Sequence, residues 1–269
     1  LTLAVYCVLV VLASLLGGAL PSRLHLTHTR LQMMVSFVAG LMLGVALLHL
    51  IPHATHHTTI DATARWAVVG LLVMFFLIRA FHFHEHEIGM GPGEGEHEHE
   101  HPPLPHGHPR LPSLGWVGIA VGLSIHSAVD GVALASSAIA EHHQGMFAGV
   151  GTFLAVLLHK PLDALAITSV MAASGWPVRS RRIVNTLFAL VCPLGAALFV
   201  LGANTGSGPF LGGALAFAAG AFLCISLGDL LPELQFHRHD RLKLSLALLV
   251  GVALAYAVTF LEVGMHGVE

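Results

Sequence analysis

Eight apolar stretches divide the chain, at roughly 2–20, 31–51, 62–81, 114–140, 146–173, 183–203, 209–231 and 242–261. Most reach the ~20 residues that a helix needs to cross ~30 Å of hydrocarbon. The pattern predicts an all-α polytopic membrane protein with eight transmembrane helices. The third stretch carries the weakest signal, because Arg65 and Arg79 bracket its apolar part. The first is preceded by no basic segment and is followed by seven more, so it reads as a span rather than a signal peptide.

Charge adds orientation. Only 10% of residues are charged, against about 25% in a soluble domain. Ten of the 12 Lys and Arg residues fall in every second loop: Arg23 and Arg30, Arg79 and Arg110, Arg179, Arg181 and Arg182, then Arg238, Arg241 and Lys243. The positive-inside rule makes those loops cytoplasmic and puts both termini outside. The net charge of −3 gives no reason to expect nucleic acid, so the expected surroundings are the lipid bilayer. Cys7, Cys192 and Cys224 all lie in apolar runs, so no disulfide framework is readable. The short termini point to a bacterial cell membrane as the setting. Residues 1–269 read as one transmembrane unit. Within it, 82–113 is a His-rich stretch among Glu, Gly and Pro, predicted to be a disordered cytoplasmic loop. That loop is either a weak metal trap or an inert tether.

Histidine is the outlier, with 21 copies against 15 acids and 12 bases. Two of them sit in a repeated pattern inside apolar runs: His126 with Asp130, and His159 with Asp163. Four residues apart on a helix, each pair shares a face. An ionisable group at bilayer depth costs at least ~2.5–3.5 kcal/mol, so such pairs are rarely accidental. Imidazole plus carboxylate is a ligand set for a divalent metal. The competing reading is two structural His–Asp hydrogen bonds that join helices. A geometric difficulty accompanies the metal reading. Four residues rise ~6 Å, and on antiparallel helices Asp130 and Asp163 are displaced in opposite directions. Pro161 leaves the carbonyl of Leu157 without its donor, and a kink there is expected to bring Asp163 level. Lys160 lies beside the site. Either it fills a second ion position and partly balances the Asp pair, or it faces another helix or a water pocket.

An internal repeat supplies a path. Residues 37–54 and 217–234, offset by 180, are identical at 7 of 18 positions. The second and seventh spans run in opposite directions, so the repeat is inverted, a recurring design in transporters. His49 and His53 at the outer end of the second span correspond to Asp229 and Glu233 at the inner end of the seventh. The expected path has an imidazole entrance, with His56, His57, Glu141, His142 and His143 nearby, a His/Asp site midway, and a carboxylate exit.

These motifs resemble those of the ZIP (Zrt/Irt-like) divalent metal transporters. The resemblance rests on His126-Ser127-Ala128-Val129-Asp130-Gly131, on His159-Lys160-Pro161-Leu162-Asp163, and on the ends of the second and seventh spans. It implies a 3+2+3 inverted-repeat bundle, a metal site between the fourth and fifth spans, a homodimer, and metal uptake into the cytoplasm. It also implies Met42 as a further metal ligand. Ser127, Lys160 and Cys192 stand where relatives with two metals supply the second site, so that site reads as dismantled and one transported metal is expected. Zinc is the expected cargo, with cadmium, iron, manganese and cobalt compatible. No cofactor and no enzymatic activity are expected. The alternatives are a metal exporter and an intramembrane zinc-dependent hydrolase, which would need an open coordination position.

Overall fold

The computed structural model describes residues 1–19, 28–82, 116–141, 148–203, 208–230 and 241–263. These residues form helices, and no strand occurs among them. In order, α1 is Thr2–Ala19 and α2 begins at His28–Val45. The coil of α2 widens to a π-helical turn over Ala46–Leu50 and resumes as Ile51–His57. Next come α3 (Ile60–His82), α4 (Trp116–Ala140), α5 (Val150–Ala173) and α6 (Val178–Ala203). Then α7 (Gly208–Ile225) runs into a second π-helical turn, Ser226–Leu230, and α8 is Arg241–Val263. All eight helices are long and apolar enough to cross a membrane. The His-rich stretch beyond α3 lies outside the described residues.

The two π-turns begin at Ala46 and Ser226, the same 180-residue offset as the sequence repeat. In α2 the Ile51 N–H bonds the Ala46 carbonyl, five residues back. Pro52 follows directly and has no N–H to give, which favours the widened turn.

One expectation is corrected. Of the bases expected in loops, Arg30, Arg79, Arg241 and Lys243 lie inside α2, α3 and α8, and Arg179, Arg181 and Arg182 lie in the first turns of α6, which begins five residues before its apolar run. For α6 the cause is local. Gly175 adopts φ +78° at the end of α5. Its N–H reaches the Ala172 carbonyl, and the Trp176 N–H reaches that of Met171, which closes α5 in a Schellman motif. The Pro177 carbonyl then accepts from the Arg181 N–H, so α6 starts at once.

In lipid, bringing apolar helices together gains no hydrophobic energy, so contact must come from close approach of small residues. The principal pairings are α2 with α8, α3 with α7, α4 with α6 and α1 with α5. Glycines permit several of them. A Cβ at Gly40 would lie 2.0 Å from the Leu248 carbonyl oxygen, and one at Gly251 2.1 Å from that of Phe37. The α3–α7 crossing repeats this, with Gly70 against Phe217 at 2.0 Å and Gly220 against Ala67 at 1.9 Å. Gly17 meets the backbone of Pro161 in the same way. Gly220→Ala is therefore expected to cost about 1–3 kcal/mol, read as a lower thermal midpoint in detergent. Gly202→Ala has nothing within 4 Å and should leave the midpoint in place.

Burial sorts the helices. α2 and α7 are the most enclosed, whereas α1, α3 and α8 are the least. Leu12 and Leu16 of α1, Leu72 and Phe76 of α3, Leu187 and Leu198 of α6, and Leu246 and Leu249 of α8 face outward, as expected for side chains against lipid. Inside, Tyr6 stacks on Phe153 at 4.0 Å between ring centroids, within a cluster that includes Leu41, Met42, Leu50, Leu134 and Phe222.

Candidate metal centre

α4 and α5 bring His126, Asp130, His159 and Asp163 together, with one ligand atom from each within 4.8 Å of the others. Asp130 Oδ2 lies 3.4 Å from His126 Nε2 and 3.2 Å from His159 Nε2. Asp163 Oδ2 lies 3.7 Å from both imidazole nitrogens. Tetrahedral ligands about 2.0–2.1 Å from a zinc ion sit ~3.3 Å apart, so small inward shifts would close the group on one ion. The first three residues are buried, and Asp163 is half-buried.

The carboxylates meet while α5 remains continuous through Pro161. Helical side chains lean toward the N-terminus of their own helix. Asp130 therefore leans back toward His126, and Asp163 toward His159. On antiparallel helices these leanings oppose each other and draw the two carboxylates together.

The proton on His159 can be assigned from its partner. Nδ1 lies 2.8 Å from the Ala155 carbonyl oxygen, which can only accept. Nδ1 thus carries the hydrogen, and in the neutral ring Nε2 keeps a lone pair aimed at the Asp130 carboxylate. Two electron-rich atoms converge with no proton between them, an arrangement that a cation resolves. A carbonyl behind a ligating imidazole is also the usual way its orientation is fixed.

Lys160 occupies this convergence. Its Nζ donates to Asp130 Oδ2, and to Asp163 Oδ2 at 3.2 Å. It also lies 5.6 Å from the centroid of Phe188 on α6. With neutral imidazoles the cluster carries two negative charges and one positive. Its orphaned atoms are Asp130 Oδ1, His126 Nδ1 and the hydroxyl of Ser127, each buried without a hydrogen-bond partner. Cys192 is buried on α6, and its carbonyl lies against Gly131, next to Asp130. Its thiol stands outside the four-ligand group. Met42 is buried on α2 in the apolar core.

A second group lies toward the C-terminal ends of α2 and α4: His49, His53 and Glu141. His49 sits in the π-turn of α2, with Nε2 2.8 Å from Glu141 Oε1. His53 Nε2 is 4.0 Å from the same oxygen. The Ser137 hydroxyl donates to Oε1 at 2.8 Å, and the Gly149 N–H donates to Oε2 at 2.9 Å. The Thr152 hydroxyl donates to Ser137 at 3.0 Å. Burial pushes the Glu141 carboxyl up, but the His49 contact, the neighbouring imidazoles and the Gly149 N–H outweigh it and hold it below the usual range. Gly149 is needed twice, for φ +73° and because a Cβ would lie 2.9 Å from the Ala138 nitrogen.

Sequence reasoning placed Glu141 near the entrance but missed Ser137, Thr152 and Gly149 as its supports. The signal was available: His126, Asp130, Ser137 and Glu141 follow i, i+4, i+11, i+15, which is one helical face. His56 is exposed beside His53. Of the residues expected to form the exit, Asp229 falls in the second π-turn, whereas Glu233, like His142 and His143, lies outside the described residues.

Residues 113–259, more than half of the chain, match a family model described as ZIP zinc transporter. A zinc transporter ZIP9-B from Xenopus laevis is 32% identical over 126 residues, covering 45% of this chain and 41% of that protein. A zinc transporter ZIP9 from Micropogonias undulatus is 32% identical over 126 residues, covering 45% of this chain and 40% of its own length. A metal cation symporter ZIP14 from Danio rerio is 29% identical over 123 residues, covering 46% and 23%. The chain thus spans less than half the length of the curated relatives it matches. These relatives are vertebrate and lend no support to a bacterial setting.

Proposed function

Since the chain belongs to the ZIP zinc transporter family, we propose that it carries a divalent metal, zinc above all, into the cytoplasm. The cargo binds His126, Asp130, His159 and Asp163, with Met42 as a softer donor. One observation carries this reading: on two helices long and apolar enough to cross a membrane, two imidazole nitrogens and two carboxylate oxygens lie within 4.8 Å of one another. The relatives named above are transporters or symporters, which leaves the hydrolase alternative without support.

The 3+2+3 inverted repeat belongs to the same proposal. Exchanging α1–α3 with α6–α8, and α4 with α5, converts the α1–α5 pairing into α6–α4 and the α2–α8 pairing into α7–α3. All four are the principal pairings. The homodimer implied by the family resemblance is likewise proposed, as is the exit past Asp229 and Glu233.

Ser127, Lys160 and Cys192 make this a single-metal site. With Lys160 charged, one divalent ion takes the cluster from −1 to +1, and a second would take it to +3 in a low-dielectric setting. An ammonium has no lone pair to offer a metal, so Lys160 must withdraw from Asp130 as the ion enters.

Purified protein in liposomes, loaded with a metal-sensitive dye and given inward or outward zinc gradients, tests the proposal. Zinc-dependent flux with cytoplasm-directed uptake supports it. Flux that runs only outward under matched gradients would favour the exporter. At the entrance, His49, His53 and Glu141 hold the metal before it descends. Glu141→Gln is expected to raise the metal concentration for half-maximal uptake about tenfold, the effect of losing one outer ligand contact. The maximal rate should stay within about twofold. An unchanged half-saturation point would remove Glu141 from the path.

A further inference from the structure

We propose that a cleft between the end of α1 and the start of α6 binds the headgroup of a phospholipid of the cytoplasmic leaflet. The cleft encloses about 410 Å³, and its lining includes Leu15, Gly18, Val178, Arg181, Arg182 and Asn185. None of these takes part in the metal site, and the inference does not depend on metal being carried.

The chemistry of the lining selects the ligand. Arg181 and Arg182 make no ion pair among the described residues. The Nε of Arg181 is buried with no hydrogen-bond partner. Two guanidinium groups at the first turns of a 26-residue helix, whose leading N–H groups lack intrahelical acceptors, suit a phosphate. Asn185 adds a second requirement. It is 6% exposed, and its Nδ2 donates to the Leu15 carbonyl at 3.3 Å. That bond fixes the amide and turns Oδ1, buried and without a partner, into a vacant acceptor. The phosphodiester of a phospholipid has no proton to donate to it, but a headgroup hydroxyl has one. Phosphate and hydroxyl together describe a glycerol-type headgroup.

A lipid fits better than a free phosphate because of the flanks. Leu12 and Leu16 of α1 and Ile183 and Leu187 of α6 are each at least half exposed next to the cleft, a surface for acyl chains. Counting Lys and Arg places this end of both helices at the cytoplasmic face, where basic pockets between helices bind anionic headgroups.

Native mass spectrometry of the detergent-solubilised full chain tests this with three probes: dioleoylphosphatidylglycerol, dioleoylglycerol with the same tails and no phosphate, and glycerol phosphate with no tails. Two basic contacts at the headgroup level correspond to about a thirtyfold preference. We expect phosphatidylglycerol to be retained about thirtyfold better than dioleoylglycerol, with glycerol phosphate not retained. The Arg181→Gln, Arg182→Gln double variant should lose that preference. Equal retention of dioleoylglycerol, retention of glycerol phosphate alone, or an undiminished preference in the folded double variant would each overturn the proposal. Should the double variant fail to fold, the three wild-type measurements decide.

Discussion

Liposomes that contain the His126→Ala protein are expected to take up zinc at about one hundredth of the wild-type rate or less. His126 Nε2 faces both Asp130 Oδ2 and Asp163 Oδ2, so its loss removes the one donor that addresses both carboxylates from α4. Its Nδ1 has no hydrogen-bond partner, and both carboxylates keep Lys160, so truncation leaves no other group unpaired. The variant should therefore fold, appear monodisperse and keep its helical circular dichroism. This separates loss of the site from loss of the protein. Flux within twofold of wild type would move the metal path away from α4 and α5.

The second large effect is expected at Lys160, and it concerns stability. Lys160 is 1% exposed and bridges both Asp carboxylates. In Lys160→Met the apolar stem is kept and the charge is lost, leaving the buried Asp130 and half-buried Asp163 carboxylates without their counter-ion. Breaking a buried charge pair typically costs about 3–5 kcal/mol, so the metal-free variant should melt well below wild type. Added zinc replaces the missing charge and should restore most of the difference. The zinc-induced rise in melting temperature is thus larger in Lys160→Met than in wild type. Equal shifts in the two proteins would show that Lys160 is not the internal counter-ion of this site.

Much of this was legible in the chain because membrane helices advertise themselves. Twenty apolar residues in a row, and bases gathered at every second junction between such runs, are signals that tertiary packing does not override. The two His/Asp pairs were legible for the same reason, since the bilayer makes an ionisable group conspicuous. What periodicity concealed was direction. Treating Asp130 and Asp163 as points on rigid cylinders made their separation a difficulty, which the lean of side chains along each helix relieves. Lys160 was readable as a neighbour of the site, but its hold on both carboxylates was not, because a four-carbon stem can turn several ways. The Glu141 network was hidden by Gly149, whose role depends on a positive φ that no composition count reveals. The start of α6 was misplaced because its first turn is charged. A hydropathy reading stops where arginine begins, whereas the helix follows Gly175 and Pro177.

That short join between α5 and α6 has a mechanical consequence. From Ser174 to Pro177 there is almost no slack, and its backbone hydrogen bonds tie the last carbonyls of α5 to the connection itself. A joint of this kind transmits displacement instead of absorbing it. Were α5 to shift along the membrane normal by one helical turn, ~5.4 Å, the first turns of α6 would travel with it. Arg181 and Arg182 would then be pulled from, or pressed through, the layer of lipid phosphates. Bilayer thickness would become a load on the cycle, heavier in some membranes than in others.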